Sequence, residues 1–217
     1  MAAGMLRYDE LRTAPNAGEP AADRQNGAAA AALRGRGGAL FGVWLPLVGL
    51  SINTVVVASV WDGDPPASPG AGLLETDAAV IGQRSRAFAP LARGVVPPSP
   101  ARGGIHTHRW FVLREADVER LVALTLPAWE ALEADSAARI EGLWRCRETE
   151  PEGVATLLML VWYPSLAEWE ATRFWRPKPA GAAQPNRDAW AGAFRQRRDL
   201  LLDSWVTVHR LVPPAPA

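Results

Sequence analysis

Cysteine, lysine and histidine are scarce in this chain of 217 residues, and each scarcity excludes some chemistry. The lone cysteine, Cys146, rules out an intramolecular disulfide framework and a multi-cysteine zinc site. Surplus charge is missing too. Lysine and arginine number 23, Lys178 being the only lysine, and aspartate and glutamate also number 23. Phosphate contacts need an excess of cations, so the whole chain does not read as a nucleic-acid binder. The glycines form no Gly-x-Gly-x-x-Gly or Walker pattern, and no Gly-x-Ser-x-Gly elbow occurs. Nucleotide cofactors and serine-nucleophile chemistry therefore lack support. The first residues lack the basic-then-apolar order of a signal peptide, which predicts a cytoplasmic protein.

Tryptophan is what the chain has in excess: ten residues, eight of them from Trp110 onward. A large ring with one polar handle serves cores, pockets or interfaces. Residues 39–61 carry no charge, and their length would suit a spanning helix. Pro46, Gly49, Ser51, Asn53 and Thr54 argue instead for two strands and a turn, flanked by β-favouring valines.

The chain repeats itself. Gly42-Val43-Trp44 matches Gly142-Leu143-Trp144, Val60-Trp61 matches Val161-Trp162, and Leu11-Arg12 matches Leu113-Arg114. The interval of about 100 residues suits a duplicated domain. The second copy of the hairpin is rich in Arg and Glu, so it is no membrane span, and the first is read by analogy with it. In the second copy, the pattern predicts a strand over 105–113 and a helix over 117–133, with Trp129 on its apolar face and a bend at Pro127. Strands follow at 138–147, with Ile140, Gly142, Trp144 and Cys146 on one face, and at 154–163. A helix capped by Ser165 comes next, then a helical piece from Asn186 and a last strand over 205–212. The order is β-α-β-β-α-β, the ferredoxin-like arrangement. The first copy reads as a degraded version with a strand near 6–13, a helix near 21–34, the hairpin, a helix over 73–88 and a short strand near 91–96. The predicted fold is α+β, with a first module over residues 1–98 and a second over 99–217.

Leu158 to Arg173, an apolar strand ending in Trp-Tyr before a Ser-Leu-Ala-Glu helix start, resembles the NIPSNAP family. Tyr8 to Thr13 resembles that family's opening strand with one extra residue, and Asn53 to Trp61 its counterpart in the first copy. Trp169 stands where the family usually has an arginine. The resemblance implies a dimeric α/β-barrel, which a tandem chain makes alone as a pseudo-dimer. It implies a monomer or a homodimer, and membership of a group that includes cofactor-free monooxygenases, isomerases and cyclases, haem-binding or haem-degrading enzymes, and non-enzymes. Fold alone does not choose among these.

The candidate catalytic residues are His106, His108 and His209. The first two lie two apart on one strand face, and the ferredoxin-like order brings the last strand beside the first. A polar cluster there suits acid/base work. A divalent metal or a haem axial ligand are lesser alternatives, and no cofactor is expected. Trp110 shares that face, and Trp144, Trp162 and Tyr163 lie on neighbouring strands. With Trp129 on the helix above, they suit a flat aromatic ligand, although Trp44, Trp144, Trp61 and Trp162 also fit a repeated core. Cys146 reads as a buried thiol. Arg109, Arg114, Arg145 and Arg147 read as strand-face charges, one of which (Arg109 is the candidate) could hold a substrate carboxylate. The Arg195–Arg198 run reads as a solvated helix face. The expected function is a cofactor-independent enzyme of bacterial specialised metabolism that cyclises, isomerises or oxygenates a hydrophobic aromatic or polycyclic substrate. The alternatives are a haem protein and a non-catalytic ligand-binding or interaction module.

Overall fold

The computed structural model describes residues 4–66, 77–93, 103–148, 151–178, 180–181 and 183–213. Eight antiparallel strands close a barrel. The first four are β1 (Met5–Thr13), β2 (Gly38–Val48), β3 (Thr54–Trp61) and β4 (Val80–Ala92). The second four are β5 (Ile105–Arg114), β6 (Arg139–Cys146), β7 (Val154–Tyr163) and β8 (Leu201–Leu211). Around the barrel the order is β1-β3-β2-β8-β5-β7-β6-β4. It divides into two ferredoxin-like sheets, β4-β1-β3-β2 and β8-β5-β7-β6. The sheets join through the β2–β8 and β4–β6 pairs. The protein is α+β, two fused ferredoxin-like modules forming one dimeric α/β-barrel within a single chain. Closure runs through short stretches of pairing, Trp44–Val48 with Val208–Leu211 and Phe88–Ala92 with Leu143–Cys146.

The uncharged run forms the β2–β3 hairpin rather than a helix. Both faces of β3 are buried, which explains why Val55, Val56, Val57 and Ala58 need no polar partner. Among the described residues no helix is long and apolar enough to cross a membrane.

Helices cover the outside. In the first module α1 (Gly18–Arg24), a π turn (Gln25–Ala29) and α2 (Ala30–Arg34) follow β1, and Ala21 and Ala22 pack with Val43, Val55 and Val57. In the second module α3 (Val118–Asp135) puts Leu121, Ala128, Trp129 and Leu132 onto Leu157, Met159 and Val161. Short α4 (Leu166–Ala171) begins at Ser165, whose Oγ accepts the Glu168 amide at 3.1 Å. Helix α5 (Arg187–Arg198) lies against α3. Its start is tied down by Asp135, which accepts from the Asn186 amide and from Trp190 Nε1 at 3.0 Å.

Three expectations change. The helix predicted over 73–88 is a strand from Val80 onward, and residues 73–76 lie outside the described residues. The need to close the barrel decides this, because β4 pairs with β1 on one side and β6 on the other. The short strand expected near 91–96 therefore comes earlier, as the end of β4, and residues 94–96 lie outside the described residues. Second, Ile140 does not share a face with Trp144. A register shift between Ile140 and Gly142 turns Ile140 outward into the helix-covered core, while Trp144 and Cys146 point into the barrel.

Third, the duplicated tryptophans match differently. An equivalent shift lies between Leu40 and Gly42. Past it, Trp44 pairs with Val56 as Trp144 pairs with Leu158. Each ring folds over the glycine two residues earlier, where a Cβ would meet the ring at 2.5 Å. Trp44 and Trp144 are thus true counterparts. Following the same register, Trp61 pairs with Met5 and Tyr163 with Ile105, so Trp61 corresponds to Tyr163. Trp162 corresponds to Val60, on the opposite face. A slip of one residue exchanges the two faces of a strand.

Candidate functional site

The barrel interior is packed with side chains. Leu6, Tyr8, Phe41, Trp44, Phe88, Trp110, Trp144, Leu158 and Leu160 form one buried cluster. The three histidines lie in it. His106 is the cross-strand neighbour of His209, and the rings of His108 and His209 stack with centroids 4.0 Å apart. The predicted meeting of β5 and β8 therefore brings the three together. Tyr8 Oη and His108 Nδ1 are 2.8 Å apart, which links the two modules across the barrel. Thr207 Oγ1 lies 2.7 Å from His209 Nε2. Burial, reinforced by the neighbouring histidines, holds His108 well below its ordinary range and His209 down to about 3. Burial raises the Tyr8 phenol well above its usual value. All three groups are neutral near pH 7.

The space for a ligand lies on the other side of the sheet. A half-open cleft of ≈ 770 Å³ lies between the outer face of β5, α5, the segment 173–175 and residues 201–206 of β8, of which Asp203 and Trp205 share the face of Trp110 rather than that of Arg109. Its walls are aromatic: Phe111, Phe174, Trp175, Phe194 and Trp205. Its polar lining is Arg109, Arg173, Arg197, Arg198, Asp203 and Ser204. A separate small cavity of ≈ 30 Å³, which shares Arg109, Phe174 and Arg197 with the cleft, is also lined by Trp129, Met159 and Tyr163. The segment is held by buried Arg187, whose guanidinium donates to the Ala171, Arg173 and Arg176 carbonyls at 3.2, 2.9 and 3.0 Å.

The predicted site residues therefore split. Arg109 lines the cleft, and Trp129 and Tyr163 line the small cavity beside it. His106, His108, His209, Trp110 and Trp144 face the barrel interior, which corrects the expectation that Trp129 covers the histidine-bearing face. Strand alternation put His108 and Arg109 on opposite sides, and the helices cover only the side of Arg109. Trp110 approaches the cleft indirectly, stacked at 5.6 Å and 5° on Trp205. Trp162 is half-buried at the barrel end, and its Nε1 donates to the Gly103 carbonyl at 2.5 Å. Sequence reasoning missed Phe111, Arg173, Phe174, Trp175, Phe194 and Arg197. Arg197 corrects the solvated-face reading of 195–198: its neighbours Arg195 and Arg198 are exposed, but Arg197 is buried. The spacing Trp190, Phe194, Arg197 places it on the apolar face of α5.

The residues present do not fit a haem ligated by His106, His108 or His209. No histidine lines the cleft, and the barrel interior around them is filled by Tyr8, Trp44 and Trp110. Among the described residues no group of three or more His, Cys, Asp or Glu side chains is placed to hold a metal ion.

The barrel is shared with solved proteins of low sequence similarity. A putative monooxygenase from Lactobacillus acidophilus NCFM superposes with a TM-score of 0.63 at 11% identity, over 97% of this chain and 93% of that one. An anthrone oxidase-like protein gives 0.58 at 12% identity, over 97% and 92%. A chlorite dismutase from Candidatus Nitrospira defluvii gives 0.52 at 10% identity, over 97% and 92%. These likenesses carry the dimeric α/β-barrel fold. No family model matches the chain, and no curated protein matches it. These comparisons do not show the NIPSNAP family; they carry the dimeric α/β-barrel fold alone.

Proposed function

We propose that the protein is an enzyme that takes a planar aromatic or polycyclic molecule into the outer cleft of its second module and oxygenates, isomerises or cyclises it. The observation that carries this reading is the cleft itself, whose volume and five aromatic walls suit such a ligand. The likeness to a putative monooxygenase and to an anthrone oxidase-like protein supports oxygenation first. The walls would hold the rings in one orientation and exclude water from the reacting carbon. Asp203 is the carboxylate that lines the cleft, and it is exposed. The histidines lie behind the sheet and have no part in this step. Their place in the proposal is structural, as a buried polar core between the modules.

The test uses anthrone as a probe substrate. Oxidation consumes one O2 per anthrone, converts the ring methylene to a carbonyl and releases water as anthraquinone forms. Enzyme-dependent O2 uptake matched to anthraquinone absorbance is the expected result, with KM raised in Trp205→Ala and Phe174→Ala. Oxidation at the uncatalysed rate, together with no quenching of tryptophan fluorescence by anthrone, overturns the reading.

A further inference from the structure

The charge of the cleft is unbalanced. Arg109, Arg173, Arg197 and Arg198 line it against one carboxylate, Asp203, and among the described residues no ion pair joins Asp203 to any of them. The Asp203 carboxylate instead accepts the Ser204 amide at 2.7 Å. Arg197 is buried, and among the described residues its one hydrogen bond is a long contact to Thr125 Oγ1 at 3.5 Å. Arg109 Nε is buried and has no hydrogen-bond partner among the described residues. Arg173 lies flat over Trp169, 3.5 Å from the ring centre, with only a 3.9 Å approach to Glu170. Aromatic faces offset part of this charge, since Arg197 sits 4.6 Å over Phe194 and 5.1 Å over Phe111. They offer no hydrogen-bond acceptor in the guanidinium plane. Burial and the Arg109 cation push Arg197 down to about 9 and Arg173 to about 10.

Buried charges in proteins are normally paired. A guanidinium's planar fork matches a carboxylate, forming two parallel bonds. We propose that the natural ligand of the cleft is an aromatic organic anion, an aryl carboxylate or an equivalent planar acid. Arg109 and Arg197 hold its acidic group, and Phe174, Phe194 and Trp205 take its rings. The proposal rests on the reading of the cleft as the ligand site and adds the charge of the ligand to it. It also separates the two modules. Asp9 occupies the position of Arg109 in the first module, because Asp9 pairs with Val57 as Arg109 pairs with Met159. There the charge is neutralised internally by Arg7.

The experiment compares 1-naphthoate with 1-naphthamide, which share a shape and differ by one charge. Binding to the full chain is read by quenching of tryptophan fluorescence and by calorimetry. Naphthoate is expected to bind at least tenfold tighter than the amide and to weaken as salt is raised. In Arg109→Gln the two ligands should bind within about twofold of each other. Arg109→Lys, which keeps the charge but loses the fork, should retain part of the preference. Equal affinities in the unaltered protein overturn the anion proposal and leave the cleft reading in place. Binding of neither molecule overturns both. A naphthoate preference undiminished in a folded Arg109→Gln protein also overturns the assignment.

Discussion

On the inner face of the barrel, the first module carries Leu6, Tyr8 and Phe88 where the second carries His106, His108 and His209. The strand registers fix these matches. Leu6 pairs with Val60 and Phe88, and His106 pairs with Trp162 and His209. Tyr8 pairs with Ala58 as His108 pairs with Leu160. On the outer face Asp9 faces Arg109 in the same correspondence. It is saturated, accepting from Arg7 Nε at 3.0 Å, Gln83 Nε2 at 2.9 Å and Ser85 Oγ at 2.5 Å. Its counterpart Arg109 is left with a buried nitrogen unmatched. The duplication kept the backbone and the Gly-x-Trp anchors, and let the polar groups diverge. At this position the first module pairs its charge internally, Asp9 with Arg7. The other has kept an open cleft with spare hydrogen-bond donors. Divergence of this kind is what a single functional site in a pseudo-symmetric barrel requires.

The shared part of the comparison carries the largest expected effect. Trp44 and Trp144 are both fully buried over a glycine. Trp44→Ala and Trp144→Ala should each destabilise the protein by about 3–5 kcal/mol, measured by urea unfolding. The two costs should lie close together. If one substitution were nearly free, the anchors would not be equivalent.

Asp9→Ala comes next. It removes the Asp9 carboxylate from the buried Arg7 guanidinium, which also donates to the Pro66 carbonyl and Ser85 Oγ. Removing one member of a buried pair costs about 3 kcal/mol or more. The same urea measurement checks it. A cost under about 1 kcal/mol would mean that the first module's outer face is not held by this network.

The inner-face histidines predict a pH effect without a counterpart in the first module. Burial holds His209 at about 3 and His108 well below its usual value, while the unfolded chain titrates near 6.5. The unfolded state therefore takes up protons first as the pH falls. The stability these groups contribute is present above about pH 6.5 and is lost from there downward, toward about pH 3 for His209, by an amount on the order of a few kcal/mol. Urea midpoints between pH 7.5 and 4.5 measure the slope. His209→Phe, which installs the first module's residue, should flatten it. An unchanged slope in that variant would assign the acid sensitivity elsewhere.

Much of this architecture was legible because it repeats. The Gly-x-Trp anchors, the hairpins and the β-α-β-β-α-β order of the second copy all follow from local patterns. The approach of His209 to His106 and His108 followed from strand order alone. The face that binds was not legible. Alternation showed that His108 and Arg109 point to opposite sides, but which side the helices leave open depends on α5 and the segment 173–175, packed from more than sixty residues away. The same distance hid Phe174 and Trp175. Arg197 was legible in principle, by its helical spacing from Trp190 and Phe194, but a run of charges masked it. Trp61 and Trp162 matched as letters in the sequence, and only the register showed that they lie on opposite faces.

The smallest expected effect on stability is the sharpest test of the comparison. Arg109→Gln removes a partly buried charge at the position where Asp9→Ala is costly. Among the described residues Arg109 has no carboxylate partner, so none of them is orphaned by its loss. Its cation also opposes the charges of Arg197 and Arg173, and removing it relieves that repulsion. The urea midpoint should therefore stay within about 0.5 kcal/mol of the parent, or rise slightly. The glutamine amide can still serve the position of the unmatched Nε as a hydrogen-bond donor. A residue that costs almost nothing to remove, yet is kept half-buried beside two other arginines, is held there by something other than folding. A loss as large as that of Asp9→Ala would show that Arg109 is a structural strut, and the two outer faces would then differ in sign of charge but not in purpose.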